Sequence, residues 1–236
     1  MNWLNTLFTD ASGNTPWWGI ALAILIMLAI GAAITFAVVA IVNAVRKNHE
    51  GKHLTQSQWT VRELMFGALC IAIAFALSYL RFFQMPQGGS ITPAAMLPIV
   101  MFAYVYGTPK GLIVALAYGL LQLLQDAYVV HWAQLIMDYI LAFLPLALAG
   151  LFKKSMLPGV VIGGLGRLVF STLSGVIFFA EYAGDQNVWL YSVIYNGTYI
   201  LPDMAICFVI ALIPGIRKAV DLFKAQAQGR LKEAHA

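Results

Sequence analysis

Charged residues are scarce in this sequence: Asp, Glu, Lys and Arg make up 10% of its 236 residues, against about 25% in a typical soluble domain. So little charge cannot cover a water-facing surface, which excludes the one or two soluble domains that the length would otherwise allow. Cysteine is equally scarce. Cys70 and Cys207 each sit inside an apolar run, so neither a disulfide framework nor a metal cluster is expected. Histidine is limited to His49, His53, His131 and His235, all in segments read as loops or tail. No G-x-x-x-x-G-K-[ST] loop is present, so the chain is not expected to hydrolyse ATP itself. H-E-x-x-H and G-x-S-x-G are missing too, and no His lies near a Ser and a carboxylate inside an apolar span. Catalytic residues, a metal site and a cofactor are therefore not expected. The first 45 residues carry no Lys or Arg, so there is no positive region of a signal peptide.

What is present is apolar: 61% of the residues are hydrophobic and the mean hydropathy is +0.81. An all-α polytopic membrane protein is the reading. A spanning helix needs roughly 20 apolar residues, and seven stretches qualify or nearly so: Trp17–Val45, Leu64–Phe83, Ile91–Gly107, Gly111–Gln125, Ala133–Phe152, Pro158–Glu181 and Tyr191–Ile213. The third and fourth are short. Twelve of the 14 Lys and Arg residues fall between the first and second, third and fourth, and fifth and sixth spans, or after the seventh. The positive-inside rule puts those segments in the cytoplasm, with the amino terminus outside and the carboxyl terminus inside. This placement of the net charge of +4 sets orientation and does not build a nucleic-acid face. The outer segments, with Asp126, His131, Trp132, Glu181, Asp185 and Trp189, are acidic and aromatic. Three regions follow: an accessory transmembrane helix with a cytoplasmic linker (1–60), a six-helix core (61–216) and a basic cytoplasmic tail (217–236).

The polar residues that a bilayer should exclude carry the information. A charge at mid-membrane costs about 2.5–3.5 kcal/mol on insertion scales and is a functional hypothesis by default. Asp138, Arg167 and Asp203 stand out, while Arg81 near a helix end can snorkel. Gln134 and Asp138 are four apart and share a face. Arg167, Ser171, Ser174 and Gly175 form a second stripe, and Ser192, Asn196, Tyr199 and Asp203 a third. Three consecutive helices with one polar stripe each pack most simply around a polar cavity shielded from lipid. A structural Asp138–Arg167 ion pair, with the stripes as inter-helix glue, is the bland alternative. Tyr128, Tyr139, Phe179, Tyr191 and Tyr195 crowd the outer helix ends, where aromatics also form interfacial belts. Together with one carboxylate, such rings suit a flat organic cation. Asp203, beside Pro202, is read as a structural or pairing residue. Ala68 and Ala72, and Gly159 and Gly163, are small pairs of the kind that let helices approach closely.

The runs Pro86–Thr92, Met96–Ile99, Gln134–Phe143 and Leu148–Phe152, then Arg167, Ser174–Phe179, Glu181–Ala183 and Tyr191–Asn196, together resemble the thiamine-specific S component of energy-coupling factor (ECF) transporters, the ThiT family. The likeness covers residues 62–215, and the first span falls outside it. The resemblance implies a six-helix core that captures thiamine from outside. It also implies inward delivery by docking on a transmembrane coupling protein and two ATPases. It places the carboxylate that engages the vitamin on Asp138, neighbouring tyrosines on Tyr139 and Tyr128, and the basic residue on Arg167. The close-approach glycine falls on Gly175, a stacking ring on Phe179, and the polar set of the last helix on Tyr191, Ser192 and Asn196. Ser171 stands where the family often has His. The small-residue docking motif falls on Ala68 and Ala72, and Gln87–Ser90 is placed like the outer gate, without the Trp of some members. Arg167 is expected to pair with Asp138 or Glu181 in the empty state, or to contact a phosphate of a phosphorylated ligand, and Trp132 and Trp189 to lie near the outer mouth. An S component for another vitamin or a thiamine precursor, and a membrane enzyme or structural anchor, are the competing readings.

Overall fold

The chain divides into two units, Met1–Ser57 and Gln58–Ala236. The structure, a computed structural model, describes residues 59–125 and 128–228. The span over Trp17–Val45, the outside amino terminus, Asp126 and the end of the basic tail lie outside the described residues.

Helix α1 (Val61–Tyr79) starts where the sequence can cap it. Thr60 Oγ1 accepts from the Glu63 amide at 3.3 Å, and Glu63 Oε2 accepts from the Thr60 amide at 2.9 Å, a reciprocal capping box. Its buried face carries Gly67, Cys70, Ala74 and Ser78, whereas Val61, Leu64, Met65, Leu69 and Ile73 are exposed. Large apolar side chains outward and small ones inward is the pattern of a helix solvated by lipid. Ala68 and Ala72 lie on the exposed side.

A two-stranded antiparallel hairpin follows, β1 (Phe83–Gln84) against β2 (Ser90–Ile91), with Phe83 opposite Ile91. Only then does α2 (Leu97–Tyr106) begin. The third apolar run is thus shorter as a helix than Ile91–Gly107. Pro93 biases Thr92 away from helical geometry, and helix starts only where Pro98 can occupy the first turn, whose amides need no partner. Gly107, at φ +90°, reverses the chain into α3 (Thr108–Gln122). Leu97–Val105 is buried apart from Met101, so α2 is the central helix, apolar all round as such a position demands.

The fifth run is not one regular helix. Trp132–Leu135 is α-helical (α4), Ile136–Leu141 widens into a π-helical turn, and Leu144–Leu151, with Pro145 in its first turn, tightens to 3₁₀. Among the described residues the two longest helices are α5 (Leu157–Phe178) and α6 (Val188–Leu212); they pack against each other, and α5 packs against this segment as well. Among the described residues, four elements are long and apolar enough to cross a membrane: Val61–Tyr79, Trp132–Leu151, Leu157–Phe178 and Val188–Leu212.

Helix α7 (Pro214–Ala227) closes the end of the bundle opposite the hairpin. Buried Lys224 reaches from it to the Phe152 and Lys153 carbonyls at 2.9 and 3.2 Å, its ammonium 3.4 Å from the centre of the Tyr104 ring. Tyr104 in turn donates to Asp221 at 3.0 Å. Replacing Lys224 with Ala should free α7, at about 1.5–3 kcal/mol for hydrogen bonds to a charged donor. Hydrogen exchange checks this: Pro214–Ala227 should lose protection while α5 and α6 keep theirs, and unchanged protection of α7 would refute the anchoring role.

Candidate functional site

Where α4 and its π-helical continuation, α5 and α6 meet below the hairpin, the described residues enclose a cavity of about 130 Å³. The structure brings together around it Tyr128, Asp138, Tyr139, Arg167, Ser171, Gly175, Phe179, Tyr191, Ser192 and Asn196, drawn from three spans and a loop. Ala68 and Ala72 are not part of it.

The π-helical turn explains how Asp138 reaches the cavity. One extra residue in the turn breaks the regular ladder, and Asp138 meets α5 at Ser174. Gln134 Nε2 donates to Asp138 Oδ2 at 2.6 Å, and Ser174 Oγ donates to the same oxygen at 2.9 Å. Gln134 also gives its amide to the Tyr128 carbonyl at 3.1 Å and accepts from the Val130 amide, so one buried glutamine ties the loop to the carboxylate. Asp138 Oδ1 has no hydrogen bond among the described residues and is left for the cavity.

Arg167 does not pair with Asp138 or Glu181. Its Nη1 lies 3.6 Å from Asp203 Oδ2, and its guanidinium lies over the Phe143 and Tyr199 rings at 4.7 and 6.0 Å. Asp203, 2% exposed, also accepts from Thr92 Oγ1 at 2.9 Å. The reason is helical register. Asp203 is a buried carboxylate on the helix packed against α5, with no amide side chain beside it as Asp138 has in Gln134, so it takes the cation. The bland reading of an Asp138–Arg167 pair falls with this geometry.

Ser192 and Asn196 are largely committed to joining α5 to α6. Ser192 Oγ donates to the Thr172 carbonyl at 2.8 Å. Asn196 Nδ2 donates to the Ser171 and Ser192 carbonyls at 3.2 and 2.9 Å, and its Oδ1 accepts from Tyr199 at 2.7 Å. Gly175 makes this contact possible, because a Cβ there would overlap Ser192 Oγ.

Aromatic rings roof the cavity. Phe179 lies 6.0 Å from Tyr128 and 6.1 Å from Tyr182, and Tyr191 lies 5.9 Å from Tyr195. Tyr139 accepts from the Tyr128 amide at 3.0 Å, and the Tyr128 and Tyr182 hydroxyls share a hydrogen bond at 3.0 Å. That bond, ahead of burial, raises the Tyr182 phenol above its ordinary value, so Tyr182 stays protonated.

Sequence reasoning did not place Ser78, Gln84, Tyr182 or Phe143 at the site, although all four line the cavity. Ser78 accepts from Gln122 at 3.1 Å and donates to Gln125 at 2.6 Å, a cluster that a Ser near a helix end does not announce. Trp132 and Trp189 do not line the cavity and are 61% and 40% exposed. His131 explains Trp132: it caps α4 by accepting from the Ala133 amide at 3.1 Å and stacks on Phe178, which leaves the next side chain outside.

A family model described as thiamine transporter protein (Thia_YuaJ) matches residues 64–223. Thiamine transporter ThiT of Bacillus subtilis (strain 168) is 33% identical over 177 residues, covering 66% of this chain and 91% of that relative. A solved structure of ThiT from Listeria monocytogenes superposes with a TM-score of 0.60 at 26% identity, over 69% of this chain and 97% of that one.

Proposed function

This chain belongs to the thiamine transporter protein family, a multi-pass membrane transport protein and not an enzyme, and we propose that it is a thiamine-capturing S component of an ECF-type importer. It binds thiamine in the cavity beneath the hairpin, from outside the plasma membrane, with its amino terminus outside and its carboxyl terminus in the cytoplasm. The observation that carries the reading is Asp138: a carboxylate with one oxygen fixed by Gln134 and Ser174 and the other left to the cavity, under a roof of aromatic rings. A thiazolium cation needs both features. Tyr128, Tyr139, Phe179 and Tyr191 supply ring faces, and Ser171, Ser192 and Asn196 a polar wall. Gly175 keeps that wall close. Arg167, matched to Asp203, contributes shape more than charge.

Isothermal titration of the purified protein tests the ligand. Saturable thiamine binding in preference to riboflavin and to the isolated aminopyrimidine is expected. Preference for either of those moves the protein to another S-component specificity. Intrinsic tryptophan fluorescence is a poor substitute, since none of the three described tryptophans, Trp59, Trp132 and Trp189, lines the cavity.

Delivery inward depends on partners. The S component docks through the exposed small face at Ala68 and Ala72 on a transmembrane coupling protein, powered by two ATPase subunits, while lipid covers the rest of α1. Ala72→Trp would fill that face with a ring. Thiamine binding should stay within about twofold, because α1's outward face lies away from the cavity, whereas uptake into cells should fall at least about tenfold, the effect of losing roughly 1.4 kcal/mol at the contact. Uptake at the native rate, or uptake that persists without the ATPases, would refute the docking scheme.

A further inference from the structure

The tip of the hairpin is held more firmly than two strand pairs can explain. Within it, the Met85 amide donates to the Gly89 carbonyl at 2.9 Å and the Gly88 amide to the Met85 carbonyl at 3.2 Å. From α6, the Tyr195 hydroxyl accepts from the Gln87 amide at 3.0 Å and donates to the Gly88 carbonyl at 3.1 Å. One hydroxyl thus satisfies two consecutive residues of the turn. Gly89, at φ +87°, lies so near the Tyr199 ring that a Cβ would come within 2.7 Å of it. A side chain at 89 would both strain the backbone and lift the tip off α6. The tip is therefore pressed onto the cavity by two tyrosines one helical turn apart.

On that tip, Gln87 lines the cavity, and its Oε1 is buried with no hydrogen-bond partner among the described residues. Buried side-chain acceptors are nearly always paired. An unpaired one on a rigid turn beside a ligand cavity is waiting for a donor that the protein does not supply. We propose that Gln87 is a ligand-binding residue whose Oε1 accepts a hydrogen bond from an N–H or O–H group of the bound molecule, and that Tyr195 is the positioning residue that aims it. The donor class rests on the thiamine reading above: the vitamin carries two, an exocyclic amine and a side-chain hydroxyl.

Thiamine titrations of the native protein and of Gln87→Met, Tyr195→Phe and the double variant test this, with circular dichroism as the check on folding. Gln87→Met removes the acceptor at constant length and should weaken thiamine about 3- to 10-fold, the scale of one neutral hydrogen bond. Tyr195→Phe should weaken it to a similar degree, and the double variant no further than the worse single one, because both act through one contact. Two thiamine analogues, one lacking the amine and one the hydroxyl, identify the donor: for one of them, native protein and Gln87→Met should bind equally. Native affinity in Gln87→Met, or an undiminished loss with both analogues, overturns the proposal. Strict additivity of the two substitutions overturns the role of Tyr195. Native protein that does not bind thiamine overturns the functional reading and this inference with it, a result distinct from binding that Gln87→Met leaves untouched.

Discussion

Asp138→Asn should weaken thiamine binding by roughly 10- to 150-fold, the equivalent of about 1.5–3 kcal/mol for a hydrogen bond to a charged group. The substitution keeps the shape and removes the charge, and the surroundings dictate how the amide must sit. Gln134 Nε2 and Ser174 Oγ both donate to Oδ2, so the asparagine carbonyl has to occupy that position. Its NH₂ then faces the cavity, where a cation is to bind, and an attraction becomes a repulsion. Calorimetry on purified protein reads the loss. A neutral aminopyrimidine should lose less than thiamine, since only the thiazolium carries the charge. Unchanged thiamine affinity would remove Asp138 from the site, and equal losses for both ligands would show that charge is not what it provides.

Arg167→Ala should destabilise the fold itself, by about 3–5 kcal/mol, because removing one partner of a buried pair strands the other charge. Asp203 is 2% exposed and keeps only the Thr92 hydroxyl as a donor. The loss should appear as a lower melting temperature in detergent without ligand. Asp203→Asn added to Arg167→Ala should recover most of it, since the amide needs no counter-charge. If Arg167→Ala melts with the native protein, Asp203 is not held by this pair. The strand-to-helix link from Thr92 through Asp203 to Arg167 also predicts that the single variant loosens the start of α2 before the remainder of the core.

Much of the site was legible because a membrane makes polar residues conspicuous. Asp138, Arg167 and Asp203 have no business in apolar runs unless they face one another or a cavity, and helical spacing then groups Ser171, Ser174 and Gly175, or Ser192 and Asn196, on the same faces. What that spacing could not give was pairing. A regular α-helix through 133–152 hides the π-helical turn at Ile136–Leu141, and without it the aim of Asp138 is undetermined. Whether Arg167 meets Asp138, Glu181 or Asp203 depends on the relative depth and rotation of two helices. No periodicity within either helix contains that information. Tyr195 likewise reads as an interfacial aromatic until the hairpin packs against it.

By itself, then, the sequence determined that this chain is a helical membrane protein with a polar centre made by its last three apolar spans. The burial cost of charge and the lipid's demand for apolar surface are local properties, written residue by residue. Only the tertiary structure decided which buried charges neutralise each other and which oxygen of Asp138 is left over. It alone decided, too, that Gln87 is pressed to the cavity by a tyrosine more than a hundred residues away. Those outcomes turn on small differences in distance between elements far apart in the chain. Such distances are set by close packing, as at Gly175 against Ser192, and packing is a property of the whole core.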